Sequence, residues 1–198
     1  MRAALPRGLA ICCLFVLVLP QPAAAEWHFT PMLGVTFLGK TNLVDPDLAT
    51  DKVHRNFGGS VALLGSGILG AEGIVVWTPG FFTGELDLVR KSRSIAVMGN
   101  VVLTTPRQWT EYSLRPFVSG GFGVLTASRT TFSGVFPIDG NLPGFNIGGG
   151  AIGFLSKGTG LRFDIRYYSS VTHDDELTDE FPFSMRYMTA SVGLVLRQ

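Results

Sequence analysis

Leu161-Arg162-Phe163-Asp164-Ile165-Arg166-Tyr167-Tyr168 is the stretch on which the reading of this chain turns. Successive side chains of an extended strand point to opposite faces. Leu161, Phe163, Ile165 and Tyr167 therefore share one side, and Arg162, Asp164, Arg166 and Tyr168 the other. A soluble barrel turns its apolar side inward and leaves its charges in water. A barrel set in lipid does the opposite: apolar side chains meet hydrocarbon, and the charges must pair inside. Glu72 lies in another apolar run, Ala71-Glu72-Gly73-Ile74, and would be costly against lipid. Turned inward, it meets Arg162 or Arg166. Arg115 is expected to join the same interior network.

Period-two patterning recurs on both sides of this stretch. The segments are about Trp27 to Leu38, Phe57 to Gly65, Ile68 to Trp77, Ser94 to Thr105, Leu114 to Leu125, Phe145 to Leu155, Leu161 to Ser169 and Phe183 to Leu196. Trp27, Phe29, Leu33, Val35 and Phe37 fall on one face of the first, and Pro116, Val118, Phe122 and Val124 on one face of the fifth. Met188, Ala190, Val192, Leu194 and Leu196 line one face of the last. The second to fourth are apolar on both faces, which requires Met98 and Val102 to point inward. Short connections follow the even strands: Ser66-Gly67, Pro106 to Ser113 and Ser156 to Gly160. Long polar ones follow the odd strands: Gly39 to Asn56, Thr78 to Arg93, Thr126 to Gly144 and Ser170 to Pro182. Short periplasmic turns and long external loops are the rhythm of outer-membrane barrels. The expected fold is all-β, an eight-stranded antiparallel up-and-down transmembrane β-barrel. Trp27, Trp77, Trp109 and Tyr112 fall at strand ends or turns, where amphipathic rings anchor at a membrane–water boundary.

Residues 1–25 have the three parts of a secretory signal: Arg2 and Arg7, the apolar run Ile11 to Leu19, and Ala23-Ala24-Ala25 before Glu26. The run is shorter than the ~20 residues of a spanning helix. Cleavage leaves residues 26–198 as one barrel domain and removes both cysteines, Cys12 and Cys13. Thiol catalysis, disulfides and Cys-based zinc sites are thereby excluded from the mature chain. With Arg2 and Arg7 gone, 14 basic residues face 15 acidic ones. No basic block remains to neutralise phosphates, so nucleic-acid binding is not expected.

Four stretches resemble the bacterial outer-membrane β-barrel domain family, similar in plan to the small OmpA/OmpX-type barrels. They are Met98-Gly99-Asn100-Val101, Arg115-Pro116-Phe117-Val118-Ser119-Gly120-Gly121, Asn146-Ile147-Gly148-Gly149-Gly150 and Asp164-Ile165-Arg166-Tyr167-Tyr168. The resemblance implies an eight-stranded barrel inserted by the outer-membrane assembly machinery, and it carries over no catalytic residue. Ser191, Gly193 and Leu196 sit where the family's assembly signal has a polar residue, a glycine and a hydrophobe. The signal usually closes on an aromatic, where this sequence has Gln198.

Several chemical patterns have plainer readings. Gly34-Val35-Thr36-Phe37-Leu38-Gly39-Lys40-Thr41 satisfies the phosphate-loop spacing, but strand formers fill it and Pro46 follows too soon for the required helix. His28, His54 and His173 have no metal-ligand spacing. The run His173-Asp174-Asp175-Glu176 through Asp179-Glu180 offers oxygens of the kind Ca²⁺ takes, helped by Asp45, Asp47 and Asp51, and reads more simply as a solvated loop. Arg166-Tyr167-Tyr168-Ser169-Ser170 is similar to the His-x-Ser-Asn stretch of lipid A deacylases, with tyrosine where the general base belongs. No cofactor is expected. The expected role is structural or adhesive, exercised by a monomer in the outer membrane against lipid, lipopolysaccharide or a loop ligand. Phe81, Phe82, Phe132 and Phe136 are candidate exposed contacts, with packing within the loops or a place in the upper aromatic girdle an equally good reading. The alternatives are a soluble periplasmic lipocalin-like barrel holding a hydrophobic ligand, and a lipid A-modifying enzyme.

Overall fold

Each alternating segment pairs antiparallel with its neighbours in sequence, and the last returns to the first. The computed structural model describes residues 25–41, 53–81, 89–106, 109, 114–131, 138–171 and 184–198. The strands are β1 (Glu26–Thr41), β2 (His54–Leu64), β3 (Leu69–Pro79), β4 (Val89–Thr104), β5 (Leu114–Thr131), β6 (Ile138–Phe154), β7 (Thr159–Ser170) and β8 (Met185–Arg197). Their order β1 to β8 closes into a barrel, so no sheet edge is left along the wall. The closing pair runs from His28 opposite Arg197 to Thr41 opposite Met185, with an irregularity between Phe37 and Lys40. Leu38 sits there at φ 51°, a left-handed backbone that a bulge absorbs.

Register decides which face of each strand is inside. Arg162, Asp164 and Arg166 on β7 stand opposite Ile152, Gly150 and Gly148 on β6, and opposite Gly193, Ser191 and Thr189 on β8. Small neighbours make room for the long arginines. A Cβ on Gly148 would lie 2.8 Å from the Ile165 carbonyl oxygen and 2.9 Å from Cγ of Arg166, so only glycine fits beside that side chain.

The bore is filled in three layers. At the turn end Ala62, Leu64, Val102, Phe117, Ile152 and Val195 form an apolar cluster. At the loop end a second one includes Met32, Ile74, Met98, Leu125, Tyr168, Met185 and Tyr187. Between them lies a layer of charge. Met98 and Val102 both point inward, as a both-sides-apolar strand requires. Outside, Leu33, Val101, Val118, Phe122, Ile147, Phe163 and Ile165 are all more than half exposed. On β5 the outer apolar face runs from Leu114 to Val124, about 34 Å of strand, or roughly 26 Å of height at the usual barrel tilt of ~40°.

The third long loop differs from its expected extent. Thr126 to Gly144 is mostly sheet, with Leu125 opposite Leu142 and Arg129 opposite Ile138. β4 likewise begins at Val89, inside the expected second loop. Polarity on both faces marks a loop only where one face must be apolar. Here Ala127 still faces the bore, and β-branched Thr126, Thr130 and Thr131 extend readily.

Candidate functional site

The middle layer is built from β2, β3, β4, β6 and β7. Glu72 projects from β3 and receives Arg162 Nη1 on Oε1 and Arg166 Nη2 on Oε2, the latter at 3.0 Å. Asp164 accepts Arg162 Nη2 at 2.7 Å on Oδ2, and from Arg166 both Nε at 3.2 Å on Oδ1 and Nη2 at 3.0 Å on Oδ2. Two carboxylates thus meet two guanidiniums, each arginine bridging both acids. The set is formally neutral and sealed, with Glu72, Arg162, Asp164 and Arg166 all at 4 % exposure or less. Charges so buried must be paired and hydrogen-bonded to be tolerated.

Neutral polar groups complete the layer. Arg166 Nη1 donates to Asn146 at 2.8 Å, and Arg162 Nη1 to Ser60 Oγ at 3.2 Å. The Asn100 amide lies 2.7 Å from Asn146 and 3.3 Å from Glu72. Turned about, its oxygen accepts from Arg166 at 2.7 Å, so either orientation ties Asn100 to the cluster. Arg162 also lies over the Phe117 ring, 4.4 Å from its centroid. Sequence reading missed Asn100, Asn146, Ser60 and Phe117. For Asn100 and Phe117 the signal was parity, since Met98, Val102 and Arg115 share their strand faces; β2 and β6 had no residue assigned to the bore from which Ser60 and Asn146 could be read.

Arg115 is a correction. It is buried, but its guanidinium serves the turn end: Nε donates to the Thr105 carbonyl at 2.9 Å and Nη2 to those of Gly65 and Gly67 at 3.1 and 3.4 Å. The reason is distance along the strand. Gly121, not Arg115, stands level with Asn100 and Glu72, six residues nearer the loop end.

The remaining expected residues are placed as follows. Trp27, Trp77 and Trp109 face away from the bore at strand ends or in a turn, each nearly half exposed or more. Trp77 packs on Phe57 with ring centroids 6.0 Å apart. Tyr112 lies outside the described residues. Ser191 and Gly193 face the bore, Ser191 Oγ donating to Asn56 at 3.4 Å, while Leu196 faces outward. Phe81 follows the packing reading and not the exposed one: it is buried, edge-on to Tyr187 at 5.2 Å, and Tyr187 stacks on Tyr168 at 4.9 Å. An aromatic at the mouth of a narrow barrel buries more surface by folding inward than by facing water. Phe82, Phe132, Phe136, His173 and the acidic run after it lie outside the described residues.

The phosphate-loop spacing lies wholly within β1, where extended backbone cannot cradle phosphate. Ser170 Oγ accepts the Met185 amide at 2.9 Å, and Ser169 Oγ donates to the Ser170 carbonyl at 3.3 Å. Both hydroxyls are engaged in fastening the ends of β7 and β8.

No family model and no curated protein matches the chain. Solved structures do. Neisserial surface protein A is similar at a TM-score of 0.59 and 9% identity, over 86% of this chain and 96% of that one. The outer membrane protein OprG from Pseudomonas aeruginosa gives 0.56 at 11% identity, covering 89% and 97%. Ail, the attachment invasion locus protein of Yersinia pestis, gives 0.55 at 16% identity, covering 88% and 99%. At such identities the likeness is one of fold: the chain has the closed antiparallel fold of the eight-stranded outer-membrane barrels.

Proposed function

We propose that this chain is an integral protein of the bacterial outer membrane, a closed barrel that anchors surface loops and serves adhesion or envelope integrity without catalysis. One observation carries the reading: the polarity of the wall is inverted relative to a soluble protein. Four ionised side chains are sealed in the bore, while Leu33 at 61 % and Phe122 at 75 % exposure typify an outer face that protein does not cover. In water such a surface would aggregate; in hydrocarbon it is at home.

The lipocalin-like alternative needs the reverse, an oily centre with the β7 charges outside. The enzyme alternative needs a nucleophile beside a base, whereas Ser169 and Ser170 hold strand ends. Ail is named for attachment and invasion, which agrees with a surface role. Signal cleavage after Ala25, insertion by the assembly machinery through the Ser191/Gly193/Leu196 end, and a monomeric state belong to the same proposal.

The test is outer-membrane fractionation with gels of boiled and unboiled protein. The expected result is a heat-modifiable band that leaves the membrane only with detergent. A protein recovered from the periplasm without detergent would reject the reading.

A further inference from the structure

At the loop end of β3, Thr78 faces the bore and Pro79 faces out. An extended backbone would carry on the alternation, with Gly80 inward and Phe81 on the outer face. Phe81 is instead buried in the mouth of the bore. Gly80 makes the difference, because its left-handed φ of 71° sends the next side chain to the other side of the wall. Glycine takes positive and negative φ about equally readily, so this one residue allows Phe81 either side.

Three strands build the inner seat. The Phe81 ring is edge-on to Tyr187 of β8 at 5.2 Å and tilted against His54 of β2 at 6.1 Å. Its Cζ lies 3.3 Å from where a Cβ on Gly39 of β1 would stand, so a larger residue there would press on the ring. Gly39 reaches this place through the irregularity in the closing seam. Phe37 stands opposite Met188 and Lys40 opposite Arg186, which leaves Leu38 and Gly39 together against Tyr187 alone. That bulge holds Leu38 at φ 51°, a conformation its Cβ disfavours. Among the described residues positive φ occurs only at Leu38 and Gly80: one belongs to the seat, and the other aims the ring into it.

Deeper on the same strands lies a collar of neutral polar groups. The Thr36 and Thr78 hydroxyls are 3.0 Å apart, Asn56 Nδ2 donates to Thr36 Oγ1 at 3.0 Å, and Ser191 Oγ donates to Asn56 Oδ1 at 3.4 Å. Thr36, Asn56 and Thr78 are all buried. We propose that Phe81 is a two-position stopper for the loop-end mouth, switched by the backbone of Gly80. With Gly80 left-handed, the ring closes the bore over Tyr187 and the collar. With Gly80 extended, the ring joins the outer face that carries Trp77 and Pro79, and outside water reaches Tyr187 and the collar. The charge layer lies further down, so opening wets the upper layer alone. This device does not depend on whether lipid or water surrounds the wall.

Hydroxyl-radical footprinting of the whole folded barrel, with oxidation of Tyr187 and Met98 read by mass spectrometry, tests the stopper. Tyr187 lies directly under the ring, and Met98, deeper in the bore, is the internal reference. Phe81→Ala should raise Tyr187 oxidation about tenfold or more, since nothing then covers it in either position. Gly80→Ala, whose Cβ disfavours the closed backbone, should raise it about fivefold. Gly80→Asn should raise it less than Gly80→Ala although its side chain is larger, because asparagine tolerates left-handed backbone. Met98 should stay at the wild-type level throughout. Equal Tyr187 oxidation in wild type and Phe81→Ala overturns the proposal. An effect of asparagine at least as large as that of alanine also overturns it, because crowding and not φ would then set the position of the ring. A parallel rise at Met98 does so too, since the barrel itself would be loosening.

Discussion

Glu72 accepts from both buried arginines, so its removal leaves Arg162 and Arg166 with one carboxylate between them. Breaking a buried ion pair by deleting one partner typically costs about 3–5 kcal/mol. Glu72→Ala is therefore expected to destabilise the barrel by that amount, read as a lower urea midpoint in detergent micelles. An unchanged midpoint would mean the carboxylate is solvated. Arg115→Ala is expected to cost less, about 1–3 kcal/mol, because it leaves backbone carbonyls rather than a charge without a partner. The two changes act in different layers of the bore. Their double variant should be additive to within about 0.5 kcal/mol, and a larger coupling would return Arg115 to the central cluster.

The strand that best reports which face meets lipid is β7. Ile165 faces outward near mid-wall and is 56 % exposed. An arginine at the midplane of the lipid face costs about 2–4 kcal/mol. Ile165→Arg should lower unfolding stability in lipid vesicles by that amount, whereas on a water-facing strand it would be nearly neutral; a neutral result contradicts the assigned orientation. The alternation of β7 was legible because its charged and apolar residues differ so sharply. β2 to β4 were less legible, since Met98 and Val102 inside and Val97 and Val101 outside are chemically alike. The upper parts of β5 and β6 were misread as loop because Gly134, Pro137, Gly140 and Pro143 interrupt the alternation there, although Leu125 and Ala127 still face the bore.

For the molecule as a whole, three layers of buried side chains fill the bore, so the barrel should not conduct. Planar bilayers containing the purified protein are expected to show no stepwise current above background; regular open steps would contradict a filled bore. Alternation and loop rhythm in the sequence determined that eight strands close with charge inside, because, on the proposed outer-membrane reading, lipid rewards only one orientation of a two-faced strand. Only the tertiary structure decided which charges meet. Register across the wall places Asn100 and Asn146 level with Glu72, sets Ser60 two residues nearer the loop end, and puts Arg115 six residues too low. Packing at the barrel mouth turns Phe81 inward against Tyr187. Period two fixes the face on which a side chain lies, but its height in the bore depends on how neighbouring strands slide past one another, and no single strand's sequence encodes that.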